Sequence, residues 1–339
     1  MKTGKLIVAA VALFGLSATA ASAATTLEAV KAKGHVQCGV TTGLAGFSAP
    51  DDKGVYSGID ADVCYAVAAA VFGDKNKVKF TPLTAKERFT ALASGEIDIL
   101  SRNTTHTLTR DASLGLNFTY YNYIDGQGFM VKKSLGVKGV KELDGAKICI
   151  QAGTTTELNL ADYFRTNGMK FQPVVYDTSI QTREGFDKGA CDVLTSDKSQ
   201  LAALRTELKD PKSAVILPAT ISKEPLGPVV RQGDDQWFNI VKWVLFAVIN
   251  ADEMNVSSKN VDDLKAKTTN PNIKRLLGTE GDMGKKLGLS ADWAYNAIKQ
   301  VGNYDEMYER NVAPLGLSRA GSVNALWSKG GVLYAPPIR

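Results

Sequence analysis

One pattern constrains this chain before any motif is considered: the order strand, helix, strand, helix, strand occurs twice. In the first half Val36 to Val40, Val78 to Phe80 and Ile97 to Leu100 read as strands. Asp60 to Phe72 and Ala85 to Ser94 read as the helices between them. Val63, Val67, Ala70 and Val71 share one face of the first helix, and Gly73 closes it. In the second half Lys147 to Ile150, Val174 to Tyr176 and Asp192 to Leu194 read as strands. Thr154 to Asn167 and Ile180 to Asp187 are their helices, and a further helix runs from about Lys198 to Leu208. This alternation predicts parallel sheets with crossover helices. The expected class is α/β in two lobes, each a sheet with flanking helices, and 339 residues suffice for both. GQGFMVK, Gly126 to Lys132, and GPVVR, Gly227 to Arg231, read as strands crossing between the lobes, which makes a two-strand hinge.

The expected division follows: a leader over 1–23, the first part of lobe one over 24–131, lobe two over 132–230, and 231–339 as the return to lobe one plus a helical extension. The leader has a basic start at Lys2 and Lys5, an apolar run from Leu6 to Leu16, and a small-residue cleavage site, Ala21-Ser22-Ala23. That is the form of a cleaved secretory signal peptide, too short to span a bilayer. No Cys at the cleavage site invites a lipid anchor. Without Lys2 and Lys5 the formal charge of +5 drops by two, too weak and too evenly spread to favour nucleic acid. Gln236 to Asn250 is the strongest helix. Trp237, Ile240, Val241, Val244, Leu245 and Val248 form its stripe, and Phe238, Trp243 and Phe246 lie off it, so burial on nearly all sides is expected. The helical patterns that follow, Val261–Lys267, Pro271–Leu277, Asp292–Val301 and Asn303–Arg310, are expected to cover lobe one and take no part in binding.

An exported chain with Cys38, Cys64, Cys149 and Cys191 has three ways to pair them, and four reduced thiols are the less expected state in an oxidising compartment. Pairing within each half, Cys38–Cys64 and Cys149–Cys191, leaves the lobes free to move. With only His35 and His106 and no CxxC, no zinc site is expected, and no cofactor motif appears.

Ligands bind α/β sheets at the carboxyl ends of the strands. Thr41-Thr42, Thr84 and the loop Ser101 to Arg110, SRNTTHTLTR, all fall there. Arg110 offers a fork that holds a carboxylate with two parallel bonds. Thr105 adds a hydroxyl and an amide, and the Asn103 carbonyl accepts from an ammonium group. The alternative for Arg110 is an ion pair with Asp111. Arg102 reads as structural. In the second half Thr154-x-x-Glu157 is a capping box that leaves the amides of Thr155 and Thr156 at a helix N-terminus, where an anion is favoured. The alternative is a capped helix and nothing more. Asp197, at the end of DVLTS, is placed to accept an ammonium or to cap the following helix, and the two roles can coexist. Arg88 is a candidate for a ligand side chain or an exposed helix charge. Ser179, Thr178, Thr84 and Leu44 are weaker pocket candidates, and His106 is either pocket wall or packing.

Taken together, ERFTALASGEIDILSRNTTHTLTRD, NFTYYNYIDGQGFMV, QAGTTTELNL and GACDVLTSDKSQLAALR give the mature chain a family likeness. It resembles the solute-binding proteins, family 3, of polar amino-acid ABC importers, in particular their general L-amino-acid-binding branch. The resemblance implies a type II two-lobe periplasmic binding protein, a monomer whose partners are an L-amino acid and the subunits of a membrane permease. It implies that Arg110 binds the ligand carboxylate with Thr105 and Thr155, that Asn103 and Asp197 take the ammonium, and that Arg88 meets the side chain. His106 stands where this branch commonly has Trp, and Leu44 where many relatives stack an aromatic ring. A pocket without that ring suits broad specificity. The competing reading is a periplasmic enzyme on the same fold, such as a dehydratase of aromatic amino-acid precursors. It needs a placed acid or base, for which Glu157 and Asp197 are the candidates.

Overall fold

Two five-stranded sheets organise the chain, and both follow one plan. The structure is a computed structural model describing residues 24–339, so the expected leader lies outside the described residues. In the first sheet Val78–Pro82, Val36–Val40 and Ile99–Leu100 run parallel. Val229–Arg231 then joins antiparallel, with Leu116–Phe118 at the edge. In the second, Gln172–Tyr176, Lys147–Gln151 and Val193–Asp197 run parallel. Gln127–Lys132 joins antiparallel, with Ala214–Ile216 beyond it.

The fourth strand of each sheet is thus the one that has just crossed. Gln127–Lys132 lies wholly in the second sheet, although the sequence boundary left all but its last residue in lobe one. Likewise Val229–Arg231 lies in the first sheet. The QGFMVK strand is buried on both faces except at its end, so its apolar run looks the same whichever sheet holds it. The crossing itself is a separate ribbon, Tyr123–Asp125 paired antiparallel with Glu224–Leu226.

Local chemistry sets the helix starts that matter for the site. The helix expected from Ala85 begins at Arg88. Just before it, Thr84 Oγ1 donates to Glu87 Oε2 (2.8 Å) and accepts from Glu87 N (3.3 Å), which ties a separate turn. The helix Thr155–Thr166 starts behind Thr154, whose Oγ1 accepts from Glu157 N at 3.3 Å. Glu157 does not return the bond to Thr154; its carboxylate accepts from Gly153 N instead (3.1 Å). Cys38 is bonded to Cys64 and Cys149 to Cys191, each pair within one lobe.

The helix Asp235–Glu253 is buried along most of its length, and Trp237 Nε1 donates to Asp98 O (3.0 Å) beneath the first sheet. The extension packs Trp293–Val301 against Ile59–Phe72 of lobe one, as expected. It also reaches lobe two, where Ala313–Leu315 touches the helix Lys198–Thr206. Among the described residues no helix is long and apolar enough to cross a membrane.

Arg319 fixes this extension. It is 5 % exposed and pairs with Asp252 of the long helix and with Asp305, both at 2.6 Å. Removing one partner of a buried pair leaves a charge without compensation, so Arg319→Ala should lower unfolding free energy by roughly 3 kcal/mol. Chemical denaturation of the ligand-free protein checks this.

Candidate functional site

The lobes face each other across the strand ends, and bonds cross the gap between them. Asn103 Nδ2 donates to Gln200 Oε1 (3.1 Å), Thr105 Oγ1 lies 3.3 Å from Thr155 Oγ1, and Lys86 Nζ meets Asp177 at 2.7 Å. Gly153 shows how close the approach is. Its φ is +75°, and a Cβ there would stand 3.0 Å from Lys86 Cγ and 3.2 Å from Lys86 N.

The first loop is held from below by Asp60, in the first turn of Ile59–Phe72. Its carboxylate accepts from Asn103 N (2.6 Å) and Asn122 Nδ2 (2.7 Å). Asn103 is thereby kept at φ 33°, a left-handed conformation uncommon outside glycine. With Nδ2 committed to Gln200, its Oδ1 is left buried and without a partner. Arg102 spends Nε on Leu83 O (2.9 Å) and faces Asp60, so it is structural.

Arg110 is 8 % exposed and turned inward, and it donates through Nη1 to Thr105 O (2.9 Å). Burial lowers its pKa, opposed by Glu224 and Asp197. A guanidinium has five donors, so one internal bond leaves the fork available. The Asp111 pairing does not form; Asp111 lies 3.5 Å from His106 Nε2. His106 stacks on Phe118 at 4.3 Å. Arg88 is 2 % exposed rather than a surface charge. Its Nη1 makes long contacts to Arg102 O (3.5 Å) and Thr104 Oγ1 (3.4 Å), and its Nε has no partner. Burial first, then Arg110 and Arg102 beside it, hold its pKa well below the ordinary value.

From the other lobe, Asp197 precedes the helix Lys198–Thr206 yet makes no capping bond. Asp125 does that work, accepting from Ser199 N at 3.1 Å. Asp197 Oδ1 is left buried and unpartnered. Burial pushes the Asp197 carboxyl well above the usual range, with Asp125 and Glu224 adding to it and Arg110 and Arg88 opposing. Asp125 is pushed up to about 6, mainly by burial. An ammonium group beside Asp197 favours the ionised carboxylate. Affinity for a ligand whose cation rests on Asp197 should therefore fall with falling pH over a range that starts well above the one in which an ordinary carboxylate protonates. Calorimetry across that range tests this, and Asp197→Asn should flatten the profile.

Thr155 is less free than its position promised. Its hydroxyl donates to Glu224 Oε2 (2.8 Å), so of the two threonine hydroxyls Thr105 must be the one that donates across the lobes. Glu224 also accepts from Asn159 Nδ2 (2.7 Å) and Ser222 Oγ (2.6 Å). The same hinge strand holds the first loop, because His106 N donates to Pro225 O (2.9 Å) and Gly227 N to Thr104 O (3.1 Å). One strand thus registers both halves of the site. Glu224, Asp125 and Gln200 were not singled out from the sequence, where each is a lone polar residue without motif. Ser179 is buried at the start of Ser179–Asp187, but no hydrogen bond joins it to this network. Thr178 and Thr84 are spent on turns, and Leu44 is 1 % exposed.

Between the lobes, then, stand an unpartnered donor on Arg88, unpartnered acceptors on Asn103 and Asp197, the Arg110 fork, and a helix N-terminus. Buried polar atoms are nearly always paired. This set is complementary to a small molecule with both anionic and cationic ends.

Residues 36–260 match the model of bacterial extracellular solute-binding proteins, family 3. The chain is 58 % identical to the general L-amino acid-binding periplasmic protein AapJ of Rhizobium johnstonii, over 99 % of each chain. It is 54 % identical to the glutamate/glutamine/aspartate/asparagine-binding protein BztA of Rhodobacter capsulatus, over 97 % of each. A solved ABC-transporter periplasmic binding protein from Brucella ovis, with glutathione bound, superimposes with a TM-score of 0.90 at 54 % identity, covering 93 % of this chain and 100 % of that one. The chain belongs to the bacterial extracellular solute-binding proteins, family 3.

Proposed function

We propose that this protein captures L-α-amino acids, polar and acidic ones included, in the periplasm and delivers them to the membrane permease of an ABC importer. The observation that carries the reading is the set of buried, unpartnered polar atoms on facing lobes: Arg88 Nε, Asn103 Oδ1 and Asp197 Oδ1. The ligand carboxylate sits on Arg110, Thr105 and the first turn of Thr155–Thr166, where the helix dipole favours an anion. Its ammonium meets Asp197 and Asn103, and Arg88 takes the polar end of the side chain. Residues 1–23 act as the cleaved export signal, and the mature chain works as a monomer. The lobes close by bending at the paired strands Tyr123–Asp125 and Glu224–Leu226, and the permease receives the closed form.

Neither candidate acid is left over for turnover in this reading: Asp197 is committed to the ligand ammonium. Glu157 is bonded to Gly153 N, and the relatives that share the whole length are binding proteins. The protein is a carrier rather than an enzyme. Ligand-stripped protein should bind L-glutamate, L-glutamine, L-aspartate and L-asparagine one to one in calorimetric titrations, and D-glutamate far more weakly. Glutathione belongs in the same series. Heat from none of them, with a folded protein, would overturn the proposal.

A further inference from the structure

The family match ends at residue 260, so the chain from 261 onward is extra to the binding domain that the family shares. Its contacts are not spread evenly over lobe one; several converge on the stretch that leads into and forms the hinge. Asn324 is 3 % exposed, and its side-chain amide takes both backbone groups of Ile124: Ile124 N donates to Asn324 Oδ1 (2.7 Å), and Asn324 Nδ2 donates to Ile124 O (2.9 Å). Ile124 is the middle residue of the hinge strand Tyr123–Asp125, and its in-register partner across the hinge is Pro225. The amide of Asn324 thus acts on the outer edge of this strand as one residue of a further strand would. Beside it Tyr304 Oη donates to Asn122 O (2.8 Å), and Tyr120 Oη donates to Tyr334 O (2.6 Å).

The far side of these contacts is rigid. Arg319 donates through Nε to Asn324 O (3.1 Å) and pairs with Asp252 and Asp305. Asp252 lies in the long helix of lobe one, so Asn324 is held on the lobe-one scaffold. Beyond the hinge, Ala313–Leu315 reaches the lobe-two helix Lys198–Thr206. The segment therefore grips the hinge strand, anchors it to one lobe and touches the other.

We infer that the C-terminal segment is a hinge brace that limits how far the lobes open, through Asn324 on Ile124 and Tyr304 on Asn122. Lobe opening needs changes of φ and ψ in a few hinge residues, and residues whose N–H and C=O are both bonded to a fixed side chain resist them. A ligand-free protein held near closure has a larger binding-competent fraction, and apparent affinity scales with that fraction. This rests on the proposed closure of the lobes on a ligand, but its primary readout needs no ligand.

The experiment is small-angle scattering of ligand-stripped full-length protein, wild type against Asn324→Ala and Tyr304→Phe. Both residues lie outside the binding network. The expected result is a larger radius of gyration in each variant, Asn324→Ala above Tyr304→Phe. With saturating L-glutamate the variants should return to the wild-type value, and their Kd should rise about threefold to tenfold as the competent fraction falls. If Asn324→Ala fails to fold, Tyr304→Phe, which loses one hydroxyl, carries the test. Unchanged ligand-free dimensions in a folded variant overturn the brace, whatever the melting temperature does. If no amino acid binds any of the proteins, the proposed ligand class fails, while the ligand-free dimensions still decide the brace.

Discussion

Arg110→Ala should abolish tight amino-acid binding while leaving a folded protein. The guanidinium is buried between the loop that ends at Thr105 and the acidic groups Glu224 and Asp197. In the proposed bound state it is the fork that holds the ligand α-carboxylate by two bonds. Without it that carboxylate is buried against a helix N-terminus and Thr105, with Glu224 close by. Leaving a buried charge without its partner costs about 3 to 5 kcal/mol, which is on the order of a hundredfold to several thousandfold in Kd. The loss should be alike for L-glutamate and L-glutamine, because the group removed serves the end they share. Arg88→Ala should separate them, with acidic ligands losing more. The ligand-free fold should tolerate Arg110→Ala, since Arg88 and Arg102 are then relieved of a like charge. Titration calorimetry gives the affinities and thermal unfolding the control.

Asp197→Asn should have effects of opposite sign on binding and on stability. Binding should weaken by roughly 2 to 3 kcal/mol, the range of a hydrogen bond to a charged group. Stability of the ligand-free protein should rise or hold. Burial raises the Asp197 pKa in the folded state. A carboxyl with a raised folded pKa costs stability when ionised, and the cost disappears as pH falls through that pKa. At neutral pH the amide removes this cost and keeps the shape. A variant that unfolds more readily than wild type and binds equally well would mean that Asp197 is structural, with the ammonium held elsewhere.

The order of elements along the chain was legible because it rests on short-range signals. The helices Ile59–Phe72 and Thr155–Thr166 close at Gly73 and Asn167, and Thr154 caps the start of the second. The two-lobe plan followed from the repeated alternation. The strand that belongs to each sheet did not, because Gln127–Lys132 is buried on both faces and carries no polarity to show which neighbour it pairs with. Within the site, Arg110, Thr105, Asn103 and Thr155 were visible as a dense polar loop and a helix start. Whether Arg88 and Asp197 face inward was not, since each has an ordinary alternative that only packing removes. Asp125 takes the capping bond that local sequence assigned to Asp197, a substitution made across 72 to 74 residues of chain. Glu224 and the grip of Asn324 on Ile124 depend on contacts that no local pattern announces.

The central claim is that one zwitterion is held between Arg110 and Asp197 from opposite lobes. The most direct test is a crystal structure of the mature protein with L-glutamate. The account predicts the α-carboxylate on the Arg110 fork and the first-turn amides at Thr155, the α-ammonium on Asp197 Oδ1 and Asn103 Oδ1, and the side-chain carboxylate towards Arg88. A ligand seated outside the facing strand ends, or one whose ammonium rests on Glu224 while Asp197 stays unpartnered, would contradict it.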